Sequence, residues 1–250
     1  MTALIAAHAG FAVTLINANR IVAHAVLNMV ARNRMANPSP GQSLLPQPWR
    51  WVGERGLRLE TGGATLARYV QLVSGNFEEI EDILPADGSI LLILRRGAAV
   101  SAPLRAALAA PVEAAQAAAG ASHTLRVAFG GEWGLDLEWC AARSGRSPAA
   151  FVQSLLGTEF TVAFLGFQPG FPYLSGLPAE LAIPRRATPR TRVAAGSVAL
   201  GGVYAGIYPA AGPGGWNVVG RTEVRLFDPA RTSPALLAPG DRVRFVEADA

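Results

Sequence analysis

The stretch FLGFQPGFPYLSGLP, residues 164–178, sets three prolines and three glycines among fifteen positions, directly after an apolar run that begins at Phe160. Proline fixes φ and removes a donor, while glycine opens turns closed to other residues, so the stretch reads as neither helix nor regular strand. It nevertheless carries Phe164, Phe167, Phe171 and Tyr173. With Pro169 and Pro172 stiffening it and Gly166 and Gly170 turning it, the rings either pack the loop onto a neighbouring sheet or face a ligand. The expectation is a stiff wall of a groove. Phe164 is assigned to the preceding strand and core. The hydroxyl of Tyr173 either donates to an anion or finds a partner in the core.

Around this wall the pattern is short β runs separated by Gly and Pro: residues 160–166, 192–200, 203–208, 216–220, 223–227 and 242–246. Such spacing predicts a barrel or sandwich. Just upstream, GGEWGLDLEWCAARSGRSPAAFVQSLLG, residues 130–157, supplies two helices, the second with Ser147 as N-cap and Pro148 in its first turn. Earlier still, strand and helix patterns alternate: a strand over Gly56 to Glu60, a helix over Ala64 to Val73, a strand over Ser89 to Leu94, and an Ala-rich helix over Ala102 to Ala118 entered at Ser101 and Pro103. A strand over His123 to Phe129 closes this series. The alternation predicts a small α/β layer.

With 250 residues, half of them hydrophobic and 16% charged, the chain has material for one large core or two modest ones. Every one of the 22 basic residues is arginine, which removes lysine Schiff-base chemistry and a Walker lysine. The formal charge of +4 is spread without a long basic run, so nucleic acid is not an expected partner. Cys140 is the single cysteine, which excludes disulfides within the chain and cysteine-based zinc sites; beside Trp139 in a helical pattern it reads as a buried structural thiol. The first 35 residues are apolar but broken by His8, Asn17, Asn19, Arg20 and His24. They hold no uninterrupted apolar stretch of about 18 residues for a membrane span, and no basic start of a secretory signal. Residues 1–46 are therefore expected to be a poorly ordered leader, or an extension upstream of a true start at Met29 or Met35. ANPSPGQSLLPQP, residues 36–48, is its linker, and the expected location is the cytoplasm.

Residues 160–222 contain no His, Asp, Cys or Lys, and Glu180 is their one carboxylate. No Ser-His-Asp triad, two-carboxylate glycosidase site or three-ligand metal site can be built from this segment alone. It holds Arg185, Arg186, Arg190, Arg192 and Arg221, with glycine pairs at 201/202 and 214/215. Guanidinium groups grip carboxylate or phosphate bidentately, and Gly-rich turns let backbone N–H groups approach an anion. The competing reading is that prolines and glycines turn barrel corners and the arginines are solvated.

PRRATPRTRVAAGSVAL (184–200), GGVYAGIYP (201–209) and GPGGWNVVGRTEVRLFDP (212–229) follow the opening stretch in order, and LLAPGDRVRF (236–245) comes after them. Together with FGGEWGLDLEW (129–139) and EDILPADGSILLIL (81–94), they resemble the family containing the B component of 5-oxoprolinase, allophanate hydrolase subunit 1 and the sporulation-kinase inhibitor protein, of the carboxyltransferase-domain subdomain C and D type. The resemblance implies an α+β protein: a small α/β amino-terminal domain over residues 47–121, then a cyclophilin-like β-barrel over 122–248. It implies a hetero-oligomer with a partner chain, the C component, whose similar barrel completes the active site. With the A component added, such a complex opens 5-oxoproline to glutamate with hydrolysis of ATP. A site for ATP and no metal site are expected. Carried over position by position, the groove residues are Tyr173, Arg190, Gly201, Gly202, Pro213, Gly214, Gly215, Trp216, Arg221 and Thr222. Arg190 and Arg221 would hold the substrate carboxylate or a phosphate, with Gly214 and Gly215 as backbone donors. Trp216 reads equally as core, and Arg221 as a bridge between strands.

The chain departs from the family pattern at several positions. Val203, Tyr204 and Ala205 stand where Gln-Gln-Thr is frequent, Leu155 where a histidine is expected, Ala194 and Leu135 for prolines, and Gly212 for a serine. These changes remove polar and acid–base candidates. Two classes of function follow: one part of a multi-chain enzyme working on 5-oxoproline or a urea-derived amide, and a non-catalytic protein that binds and inhibits a histidine kinase.

Overall fold

The computed structural model describes residues 49–112 and 120–248, which fall into two compact units. The leader expected over residues 1–46 lies outside the described residues.

In the first unit, β1 (Trp49–Val52) and β2 (Gly56–Glu60) form one hairpin, β3 (Ile80–Ala86) and β4 (Ser89–Leu94) another, in the sheet order β1-β2-β4-β3. All ladders are antiparallel. The β2/β4 register puts Leu57 opposite Leu92 and Leu59 opposite Ile90, all four buried, as the period-2 alternation of side chains requires. Helix α1 (Thr65–Ser74) and helix α2 (Ala102–Ala109) add Leu72, Leu104 and Leu108 to this core. Ser101 caps α2, accepting from the Leu104 N–H at 3.2 Å. The helix expected to run to Ala118 stops at Ala109. Ala110 takes an extended conformation (φ −63°, ψ 142°) because a residue before proline, here Pro111, is driven out of the helical region. Residues 113–118 of that expected helix lie outside the described residues.

In the second unit seven strands close a barrel in the order β10-β7-β6-β13-β5-β12-β9: β5 (Ser122–Phe129), β6 (Glu159–Leu165), β7 (Pro172–Ser175), β9 (Ser197–Gly201), β10 (Tyr204–Ile207), β12 (Asn217–Arg221) and β13 (Arg242–Glu247). The strand expected to close the first series is thus a barrel strand: β5 pairs parallel with β13 from Ser122↔Arg242 to Val127↔Glu247. The short β8 (Arg190–Val193) and β11 (Gly212–Gly214) form a separate ribbon. Helices α3 (Leu137–Arg143) and α4 (Pro148–Leu156) pack on the barrel through Leu137, Cys140, Phe151 and Leu155. Ser147 caps α4 as expected, with its hydroxyl accepting from the Ala150 N–H at 3.2 Å. The chain is therefore α+β with a closed barrel. No helix among the described residues is long and apolar enough to cross a membrane.

Three strand expectations change. Residues 192–200 are two strands, because Gly196 turns the chain at φ +80°, where a Cβ would lie 2.1 Å from the Thr222 carbonyl oxygen. Residues 223–227 form no strand; Phe227 makes a single bridge to Ala235. The opening stretch does contain a strand, β7, whose first residue is Pro172, a position where proline's missing N–H is tolerated. Between β6 and β7 the loop is pinned at Gly170 (φ +77°), where a Cβ would meet that of Phe227 at 2.9 Å.

Candidate anion-binding site

One end of the barrel unit is filled by rings rather than aliphatic side chains. Phe164 and Tyr173 stack at 4.3 Å between centroids; Trp216 meets Phe171 and Tyr173 edge-on at 5.5 Å each, and Tyr208 meets Phe171 at 5.1 Å. Edge-to-face geometry at these separations is the favourable arrangement for aromatic quadrupoles. Tyr204, one of the departures from the family pattern, joins this cluster edge-on to Tyr173 at 5.7 Å. Glycines make the room. A Cβ on Gly201 would lie 2.5 Å from the Trp216 ring, and one on Gly214 would lie 2.1 Å from the Tyr208 hydroxyl oxygen. Two of the glycines read from sequence as anion donors are thus required by ring packing. Gly202 (φ +68°) opens the β9/β10 turn and donates its N–H to the Ile183 carbonyl, while the Gly215 carbonyl accepts from the Arg186 N–H at 2.7 Å.

Beside the rings lies a buried carboxylate that the barrel segment itself lacks. Asp136, just before α3, is 5% exposed and takes Arg190 bidentately, Nη1 to Oδ2 at 2.7 Å and Nη2 to Oδ1 at 2.9 Å. It also accepts from Arg186 Nη1 at 2.9 Å and from the Val218 N–H at 2.7 Å. Burial by itself raises this carboxyl, but the hydrogen bonds from Arg190 and Val218 and the charges of Arg190 and Arg186 outweigh it and hold the group below the usual carboxylate range. The same pairing holds the Arg190 guanidinium above its ordinary value. Arg190, expected to grip a ligand anion, grips the protein's own.

The guanidinium groups left over face a groove of about 670 Å³ lined by Trp139, Arg143, Pro184, Arg185, Arg186, Ala187, Thr188 and Asn217. Arg185 lies over the Trp216 ring at 5.5 Å, and Asn217, 1% exposed, ties the Pro184 carbonyl to the barrel through Nδ2 at 2.9 Å. No described lining residue is a carboxylate or a histidine. The groove is therefore built to attract and orient an anion and has no proton acceptor of its own. Cys140 behind it is buried, and burial, with Asp136 adding to it, pushes its thiol up to about 12, so it stays un-ionised at neutral pH.

The other expected groove residues are dispersed. Tyr173 is half-buried on β7; burial raises its hydroxyl while the charge of Arg185 opposes the shift. Trp216 is 5% exposed and forms the floor under Arg185. Pro213 sits exposed in β11. Thr222 is buried, with its hydroxyl accepting from the Val224 N–H at 3.3 Å. Arg221 faces a different cavity and stacks on Trp133 at 4.6 Å. Sequence reasoning missed Asp136, Arg143 and the roles of Arg185 and Arg186; the available signal was the one aspartate of GLDLEW and the doubled arginine of PRRATPR. Among the departures, Leu155 lies fully within the core, Ala205 is buried in the barrel, and Val203 is exposed at the turn after Gly202.

The profile of the family described as "Carboxyltransferase domain, subdomain C and D" matches residues 49–237. A protein named as the B component of 5-oxoprolinase, from Escherichia coli O157:H7, is 55% identical over 120 residues, 48% of this chain and 55% of that one. Its namesake from Haemophilus influenzae is 49% identical over 120 residues, 48% of this chain and 56% of that one. The matches span about half the length of these curated relatives. Among solved structures, TTHA0988 superposes with a TM-score of 0.66 at 36% identity, covering 78% of this chain and 40% of that one.

Proposed function

Since the chain belongs to the carboxyltransferase-domain family, subdomain C and D, we propose that it is the B component of a 5-oxoprolinase-type complex, opening 5-oxoproline to glutamate with ATP hydrolysis together with the C and A components in the cytoplasm. The names of its relatives support this reading, and the closed seven-stranded barrel supports a cyclophilin-like carboxy-terminal domain paired with a similar barrel of the C component. The observation that carries it is the arginine groove. Its charge suits the carboxylate of a small cyclic amide, and its lack of a base fits a half-site that a second chain completes.

In this role Arg185, held over Trp216, and Arg143 bind and orient the substrate carboxylate. Asp136 fixes Arg186 and Arg190 in place, so that two guanidinium groups shape the wall with one of their two positive charges matched. ATP enters through the resemblance, and among the described residues these glycines do not fit a nucleotide cradle: Gly201 and Gly214 are filled against Trp216 and Tyr208, and the N–H of Gly202 is taken by Ile183.

The test is co-purification with the cognate C component, then assay of 5-oxoproline-dependent ATP hydrolysis with the A component added. The chain alone is expected to turn over nothing, and the full mixture to be active. A stable complex that stays inert with every cyclic amide favours the non-catalytic, kinase-inhibiting role; turnover by the isolated chain contradicts the shared site.

A further inference from the structure

A second cavity, of about 260 Å³, opens on the barrel unit between Trp133 and the β8/β12 region, and its lining has two different chemistries. One end is cationic. Among the described residues Arg192 and Arg221 line it without a carboxylate partner, while Arg190, also in the lining, is paired with Asp136. The Arg221 guanidinium lies 4.6 Å over the Trp133 ring, and among the described residues its buried Nε has no acceptor. Glu132, exposed at the rim, is the one carboxylate in the lining.

The rest is apolar. Val193 and Val218, 3% and 4% exposed, line the cavity, and Trp133 and Leu135 stand at its edge with 39% and 63% of their surface open to solvent. A strongly hydrated anion such as phosphate would meet the guanidinium groups and leave this apolar surface uncovered. A neutral apolar molecule would cover it and leave Arg192 and Arg221 without an acceptor.

We propose that this cavity is a binding site for a small monocarboxylate with an apolar body, of the size of benzoate or hexanoate, separate from the arginine groove assigned to the cyclic amide. The carboxylate is held by Arg192 and Arg221, and the apolar body rests on Val193, Val218 and the Trp133 edge. The proposal does not depend on the proposed catalytic role, because it concerns a different set of residues and a different ligand chemistry.

The test uses the full chain, titrated by calorimetry and tryptophan fluorescence with benzoate, hexanoate, 5-oxoproline and inorganic phosphate at constant ionic strength. Benzoate and hexanoate are expected to bind at one site with a change in tryptophan emission. Arg221→Gln and the exposed Arg192→Gln should each weaken that binding about tenfold, the usual consequence of losing a charged hydrogen bond, while Arg185→Gln leaves it unchanged. Arg192→Gln keeps the test decisive should Arg221→Gln unfold the barrel. Absence of benzoate and hexanoate binding at millimolar concentration, equal binding of phosphate, or loss of binding in Arg185→Gln instead would each overturn the proposal.

Discussion

Residues 49–112 bury mainly leucine and isoleucine: Leu57, Leu59, Leu72, Ile90, Leu92, Leu94, Leu104 and Leu108 make one core, and polar pairs such as Arg55 with Glu81 remain partly solvated at its margin. The barrel unit has a comparable aliphatic interior, around Val127, Val162, Leu174, Val198 and Val243, but adds an aromatic cluster and a carboxylate that is 5% exposed. Aliphatic packing of the first kind gives stability without chemistry. Rings, glycines cut to fit them and a buried ion pair cost conformational entropy and desolvation, and they are concentrated beside the arginine groove that we propose binds the ligand.

The largest contrast should come from truncating one large side chain in each unit. Trp216→Ala and Leu92→Ala are each expected to cost about 4 kcal/mol, within the range for emptying a buried site. Only Trp216→Ala should also abolish anion binding in the groove, because Arg185 rests on that ring. Chemical denaturation paired with ligand titration measures both effects; equal loss of binding in Leu92→Ala would erase the distinction between the units.

Asp136→Asn comes next, at about 3 kcal/mol, the low end for breaking a buried pair, since Arg186 and Arg190 keep partial access to water. Its pH dependence has a definite sign. The carboxyl is held below its unfolded value, so its contribution is fully present above about pH 4, the ordinary carboxylate value, and is lost as pH falls through the lower folded value. Urea midpoints should therefore separate wild type from Asp136→Asn at pH 6 and converge on acidification. A gap that stays constant down to about pH 2, well below the ordinary carboxylate value, would mean that Asp136 is not the charged keystone described here.

The smallest effects should be the same in both units. Ser101→Ala and Ser147→Ala each remove a helix cap and should each cost about 1 kcal/mol, with no change in anion affinity. Thermal midpoints of the two variants check this, and a change in binding for Ser147→Ala would tie α4 to the site.

What was legible in the sequence follows the same division. The buried strands β2 and β4 and the two capped helices announce themselves because alternation and Ser-x-x capping are local. Strand β3 was missed because Glu81, Asp82 and Pro85 interrupt its apolar pattern, and β7 because proline opens it. Strand β5 was recognised, but its parallel partner β13 lies more than a hundred residues away, beyond any local pattern. The site was legible as a chemical class and not as a pairing. The arginines of 185–192 point to anions, yet that Asp136 claims Arg190 across 54 positions is a tertiary fact, and it leaves Arg185 and Arg143 as the groove arginines we propose face the ligand.

That reassignment is tested most directly by comparing Arg185→Lys with Arg190→Lys in the assembled complex, measuring 5-oxoproline affinity and thermal midpoint for each. Lysine keeps the charge and loses the planar fork, so Arg185→Lys should weaken affinity about tenfold, or about 1.4 kcal/mol, with little change in stability. Arg190→Lys should lower the thermal midpoint by breaking the bidentate pair with Asp136, and leave affinity within about twofold. The reverse pattern, with affinity lost in Arg190→Lys and retained in Arg185→Lys, would contradict the assignment of the groove.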